Sequence, residues 1–82
     1  MVSMLKLQQI MNLTGIGRST MYNLIRTEQW PQPIKITKRS NRWLSTEVDA
    51  MIGLMAADAS ADLIRAKVKE LEAARANAIV FA

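Results

Sequence analysis

Arg18, Ser19, Tyr22, Asn23 and Arg26 are the side chains of this sequence best suited to recognition chemistry. Their spacing places them on one side of an α-helix, with Met21, Leu24 and Ile25 on the other. The chemistry is non-covalent. Arginine donates two hydrogen bonds to a guanine edge, and asparagine pairs in a similar two-point way with adenine. Ser19 and Thr20 stand at the helix start, where free backbone N–H groups favour a phosphate. The face carries two arginines and meets no acid before Glu28. Solvated helix faces usually mix both signs, so this bias predicts a polyanionic partner.

A second basic cluster follows, with Lys35, Lys38, Arg39 and Arg42 close together and Ser40 and Asn41 among them. A basic hairpin on its own is a common way to protect a sheet edge. Beside a recognition helix it becomes a wing that holds phosphates and reaches toward a narrow minor groove. Bond-making chemistry has no comparable candidates. The sequence has no cysteine and no histidine, which removes thiolate chemistry, the usual general base and the commonest metal ligand. Glu47 and Asp49 begin a helix and suit its dipole better than a catalytic pair. The expectation is therefore no catalytic residue, no metal site and no cofactor.

The charge is divided along the chain. Lys6, Arg18, Arg26, Lys35, Lys38, Arg39 and Arg42 face only Glu28 in residues 1–45, a balance of +6; residues 46–82 carry −2, giving the net +4. One half is built to meet a polyanion and the other to do something else.

The elements that must carry these groups are short. Leu7, Ile10 and Met11 mark a first helix over Leu7 to Asn12. Thr14-Gly15 breaks it, with Gly15 suited to a left-handed stop and Leu13 and Ile16 expected to pack inward. A second helix is expected from about Arg18 to about Thr27, and two helices joined by a short glycine-containing turn make a helix-turn-helix. Trp30-Pro31-Gln32-Pro33 ends it. Ile34 to Thr37 alternates as a strand, Lys38 to Asn41 reads as the turn, and Arg42 to Leu44 as the returning strand. Ser45 or Thr46 is expected to cap a third helix, with Val48, Met51, Ile52 and Met55 as its buried stripe. Trp30 and Trp43 are expected in the core.

From Ala56 onward the sequence is rich in alanine and charge, a strong helix former. Either Asp58 or Ser60 caps a new helix or one long helix runs through. Ile64, Val68, Leu71, Arg75 and Ala78 follow gaps of four and three, and the end from Ala78 to Ala82 is apolar. This stripe has two readings: it folds back as extra core, or it pairs with another subunit. The domain reading is a DNA-binding unit over residues 1–55 and a helical extension over 56–82.

At Thr14 to Leu44 a family resemblance becomes specific. The runs TGIGRSTMYNLI, WPQPIKI and KRSNRWLSTEVDAMI resemble the AlpA-type phage regulators and excisionases, a group with a MerR-like winged-helix fold. The resemblance covers roughly Leu5 to Ile52. It implies a helix in the major groove carrying Arg18, Ser19, Thr20 and Tyr22, and a wing carrying Arg39, Ser40 and Arg42. The sequence departs from the family pattern at Gly17, where serine is usual, at Glu28, where glycine usually ends the helix, and at Asn41, where the family is often apolar.

The expected fold is mostly α, a winged helix-turn-helix with a two-stranded β-wing and an additional C-terminal helix. The expected function is sequence-specific binding of double-stranded DNA, as an excisionase (a recombination directionality factor) or a transcriptional regulator of a phage or mobile element. The other reading is a protein-interaction module whose tail helix binds a partner. Expected partners are duplex DNA, further copies side by side on it, and an integrase; no membrane is expected, and the location is cytoplasmic.

Overall fold

The computed structural model describes residues 2–79. In chain order the elements are β1 (Met4–Leu5), α1 (Leu7–Thr14), α2 (Arg18–Arg26), β2 (Ile34–Thr37), β3 (Ser40–Leu44), α3 (Ser45–Ala56) and α4 (Ala61–Ile79). The result is a mostly helical winged fold, as the sequence predicts, and its strands form a three-stranded antiparallel sheet in the order β1-β3-β2.

The helix-turn-helix forms as its residues dictate. Gly15 closes α1 in the left-handed region at φ 72°, and its N–H donates to the Met11 carbonyl at 2.8 Å. Ile16 packs against the core. Leu13 does not: it is 61% exposed. At about 100° per residue it falls about 60° beyond Ile10 on the side away from Leu7 and Met11, outside the arc those three share. The expected inward packing of Leu13 is thus corrected.

α2 stops where the family pattern expects glycine. Glu28 takes that left-handed place at φ 64°. Its N–H donates to Ile25 O at 3.2 Å, and Gln29 N–H to Leu24 O at 2.8 Å, so two orphan carbonyls are satisfied. The stop is left-handed although the residue is not glycine.

The wing differs from expectation in three details. Its tip is only Lys38 and Arg39, because Ser40 and Asn41 already belong to β3. The register pairs Lys35 with Asn41 and Thr37 with Ser40, leaving Ile36 as an extra residue in a bulge. That insertion breaks the alternation, and Ile36 is 52% exposed while Ile34 is partly buried. The third difference is β1, which the sequence did not announce: Met4 pairs with Leu44 and Leu5 with Trp43. Ser45 locks it, donating its N–H to Ser3 O at 2.8 Å and accepting the Ser3 N–H on Oγ at 2.9 Å. Ser45 is therefore not the cap of α3, and neither is Thr46; the cap position is Leu44, with no side-chain hydrogen bond.

The core is a single cluster of Ile10, Met21, Trp30, Trp43, Val48, Met51 and Val68. Both tryptophans are buried, and Trp43 Nε1 donates to the Pro31 carbonyl at 2.8 Å. α3 and α4 are separate helices. Asp58 takes φ 56° at the break, and the Ser60 hydroxyl accepts the Leu63 N–H at 3.2 Å as the cap of α4. α4 then lies back on the body: Val68 is buried, and Ile64 and Leu71 pack against the core. Of the apolar end from Ala78 to Ala82, the first two residues complete α4, and Val80 to Ala82 lie outside the described residues.

Candidate nucleic-acid interface

α2 presents the residues the sequence singled out. Arg18, Ser19, Thr20, Tyr22, Asn23 and Arg26 are all exposed, while Met21 on the opposite side is fully buried. Tyr22 is 52% exposed, so its ring stands out from the helix. Arg26 Nη2 donates to the Asn23 carboxamide oxygen, which orients both side chains together on the outer face. Gly17 caps the helix in extended geometry with no side-chain hydrogen bond. A Cβ added there meets nothing within 4 Å, so the serine usual in the family would fit.

The wing presents Lys35, Lys38, Arg39 and Asn41 exposed, with Ser40 and Arg42 partly buried. Arg42 Nη1 donates to the Asn41 carbonyl at 2.9 Å, holding its side chain along the strand. Two clefts among the described residues lie elsewhere. One, of about 430 Å³, is lined by Val2, Leu44 and Leu71 beside Arg75. The other, of about 150 Å³, is lined by Glu28, Gln32 and Lys69. The candidate interface is thus a projecting surface, not a pocket.

Charge pairing separates the two halves of the chain. Among the described residues, the ion pairs are Arg65–Asp62, Lys67–Glu70 and Arg75–Glu47. Every one uses a cation from the back half. Lys6, Arg18, Arg26, Lys35, Lys38, Arg39 and Arg42 have no carboxylate partner in that set. An unpaired cation keeps its full attraction for a phosphate; a paired one must first give up its carboxylate.

Sequence reasoning missed one group. Glu47 is 3% exposed and receives two hydrogen bonds from Arg75, Nε to Oε2 at 2.7 Å and Nη2 to Oε1 at 2.8 Å. These bonds to Glu47 are the main reason the Arg75 guanidinium is held above its ordinary pKa, against the opposing effect of burial. Sequence placed Arg75 on the tail stripe and Glu47 at a helix start, but nothing in a separation of 28 residues pairs them.

A family model described as the prophage CP4-57 regulatory protein AlpA matches residues 3–52, more than half of the 82 residues. The chain belongs to the AlpA family of phage regulators. This is a family of DNA-binding regulatory proteins, and its match runs from β1 through the wing into α3. A relative in Enterobacteria phage P4, an uncharacterized protein named ORF88, is 38% identical over 46 residues. That alignment covers 56% of this chain and 52% of the relative, so the chain spans about half the length of the curated relative it matches. No solved structure matches the chain. Among the described residues, no helix of this AlpA-family protein is long and apolar enough to cross a membrane.

Proposed function

We propose that the protein binds duplex DNA sequence-specifically, with α2 in the major groove and the β2–β3 wing on the adjacent backbone. Arg18, Tyr22, Asn23 and Arg26 read or flank base edges, while Ser19 and Thr20 contact phosphate at the helix start. Lys35, Lys38, Arg39 and Arg42 grip the backbone, with Ser40 and Asn41 alongside. The observation that carries this reading is the set of front-half cations left without carboxylate partners on exposed elements.

The biological role we assign is control of a phage or integrated element in the cytoplasm, by excision control or by promoter control. As an excisionase the protein would bend a site so that an integrase runs in reverse; as a regulator it would occlude or recruit polymerase. Both roles use the same contacts, and several copies would sit side by side, because one small module makes few base contacts. The rival reading, a tail helix free to bind a partner protein, draws no support from Ile64, Val68 and Leu71, which pack on the body.

The test is salt. Binding to a duplex, followed by fluorescence anisotropy, should weaken linearly in log–log form with a slope of about −0.9 per phosphate contact. Binding indifferent to salt, or no binding at low salt, would overturn the DNA reading. An excision assay with the neighbouring integrase then separates the two roles.

A further inference from the structure

The segment joining α2 to β2 closes on α2 through the Glu28 and Gln29 N–H groups and through Gln32 Nε2, which donates to the Ile25 carbonyl at 3.3 Å, but its last stretch before β2 is poor in backbone donors. It runs through Trp30-Pro31-Gln32-Pro33, and the two prolines have no N–H to donate. Gln32 supplies the one donor between them. Its backbone groups find partners on other elements, as buried or constrained backbone must.

Three of those partners come from α4. Glu72 Oε2 accepts the Gln32 N–H at 2.8 Å. Arg75 Nη2 donates to the Gln32 carbonyl at 2.8 Å. Arg65 Nε donates to the Thr27 carbonyl at 3.1 Å, at the other end of the segment. Trp43 of the wing holds the Pro31 carbonyl from the opposite side. Arg75 is itself fixed by Glu47 on α3. The side chains of α4 therefore grasp both ends of the connection that runs from the recognition helix to the wing.

We propose that α4 is an intramolecular brace that sets the angle between α2 and the wing, with Glu72, Arg75 and Arg65 as positioning residues for DNA binding. α4 lies beyond residues 3–52, so this device is an addition to the family-matched unit. The proposal rests on the DNA reading given above. It differs in what it requires: two DNA-contacting elements held at a fixed angle by residues that touch no DNA.

Glu72 provides a test in which charge and bracing have opposite signs. Glu72→Ala removes a negative charge and the acceptor for Gln32. Glu72→Gln removes the same charge but keeps an acceptor oxygen. Electrostatics alone predicts that both variants bind a polyanion more tightly than the parent. The brace predicts that, in the full chain and at fixed salt, Glu72→Ala binds a mixed-sequence duplex about fivefold more weakly than Glu72→Gln, the equivalent of about 1 kcal/mol. Equal affinities for the two variants would overturn it.

Amide hydrogen exchange at Gln32 supplies a second readout that does not involve DNA. The N–H should be protected in the parent and in Glu72→Gln, and opened in Glu72→Ala; equal protection in all three would also overturn the brace. If the parent chain fails to bind the duplex at any salt, the DNA reading falls, and exchange at Gln32 still decides whether α4 holds the connection.

Discussion

Arg18 and Lys38 are both exposed cations, yet the proposed complex uses them differently. Arg18 opens the recognition helix, where a planar two-point donor meets a base edge. Lys38 sits at the wing tip, where a point charge meets phosphate. Arg18→Ala should cost about 1–3 kcal/mol on a preferred site and much less on other sequences. Lys38→Ala should weaken binding to all sequences alike and reduce the magnitude of the salt slope by about 1. Affinity measured on a panel of duplexes distinguishes them; equal losses from both variants on every duplex would show that Arg18 reads no base. The exposure of these residues was legible because type, spacing and sign agree within one short stretch. Glu47 was not, because its partner is brought to it only by the return of α4. A carboxylate at a helix start looks the same in sequence whether water or a buried arginine faces it.

Helix ends show how far local sequence fixes an element. Gly15 announced its left-handed stop, and the structure has it at φ 72°. The end of α2 has the same geometry with Glu28 at φ 64°, where a Cβ costs about 1 kcal/mol. Glu28→Gly should therefore stabilise the chain by up to about 1 kcal/mol, raising the unfolding temperature by about 4–8 °C. Thermal unfolding followed by circular dichroism checks this; a lower midpoint would mean that the Glu28 side chain makes contacts worth more than its strain. The helix-turn-helix and wing were readable because their signals are periodic or tied to turn residues. β1 was not, since two residues carry no period and their pairing is decided by Leu44 and Trp43 about forty positions on. The bulge at Ile36 was hidden for a related reason: alternation in sequence says nothing of register.

At the scale of the whole molecule, α4 decides whether the smaller unit is self-sufficient. A stability of about 0.05–0.15 kcal/mol per residue gives this chain only about 4–12 kcal/mol. Burial of Val68 contributes about 1.5–3 kcal/mol of that, before the packing of Ile64 and Leu71 is counted. The Arg75 pair behaves differently from apolar burial. Arg75→Ala would leave Glu47 buried beside an empty place, at a cost of about 3–5 kcal/mol. Deleting residues 60–82 also removes Arg75, but it reopens the Glu47 site to water, so the two losses do not add. The pH dependence of the pair has a definite sign on the arginine side. A guanidinium with a raised folded-state pKa contributes at every pH below its unfolded value and loses that contribution only as pH rises through the folded value, far above neutrality. The arginine half of the pair thus keeps its charge throughout the working range of pH. Both variants should consequently melt at least about 10 °C below the parent at neutral pH, with the truncated chain losing cooperativity as well. A sharp transition at the parental temperature after truncation would show that residues 1–59 hold their fold unaided, and that α4 acts on the geometry of the wing without supporting the core.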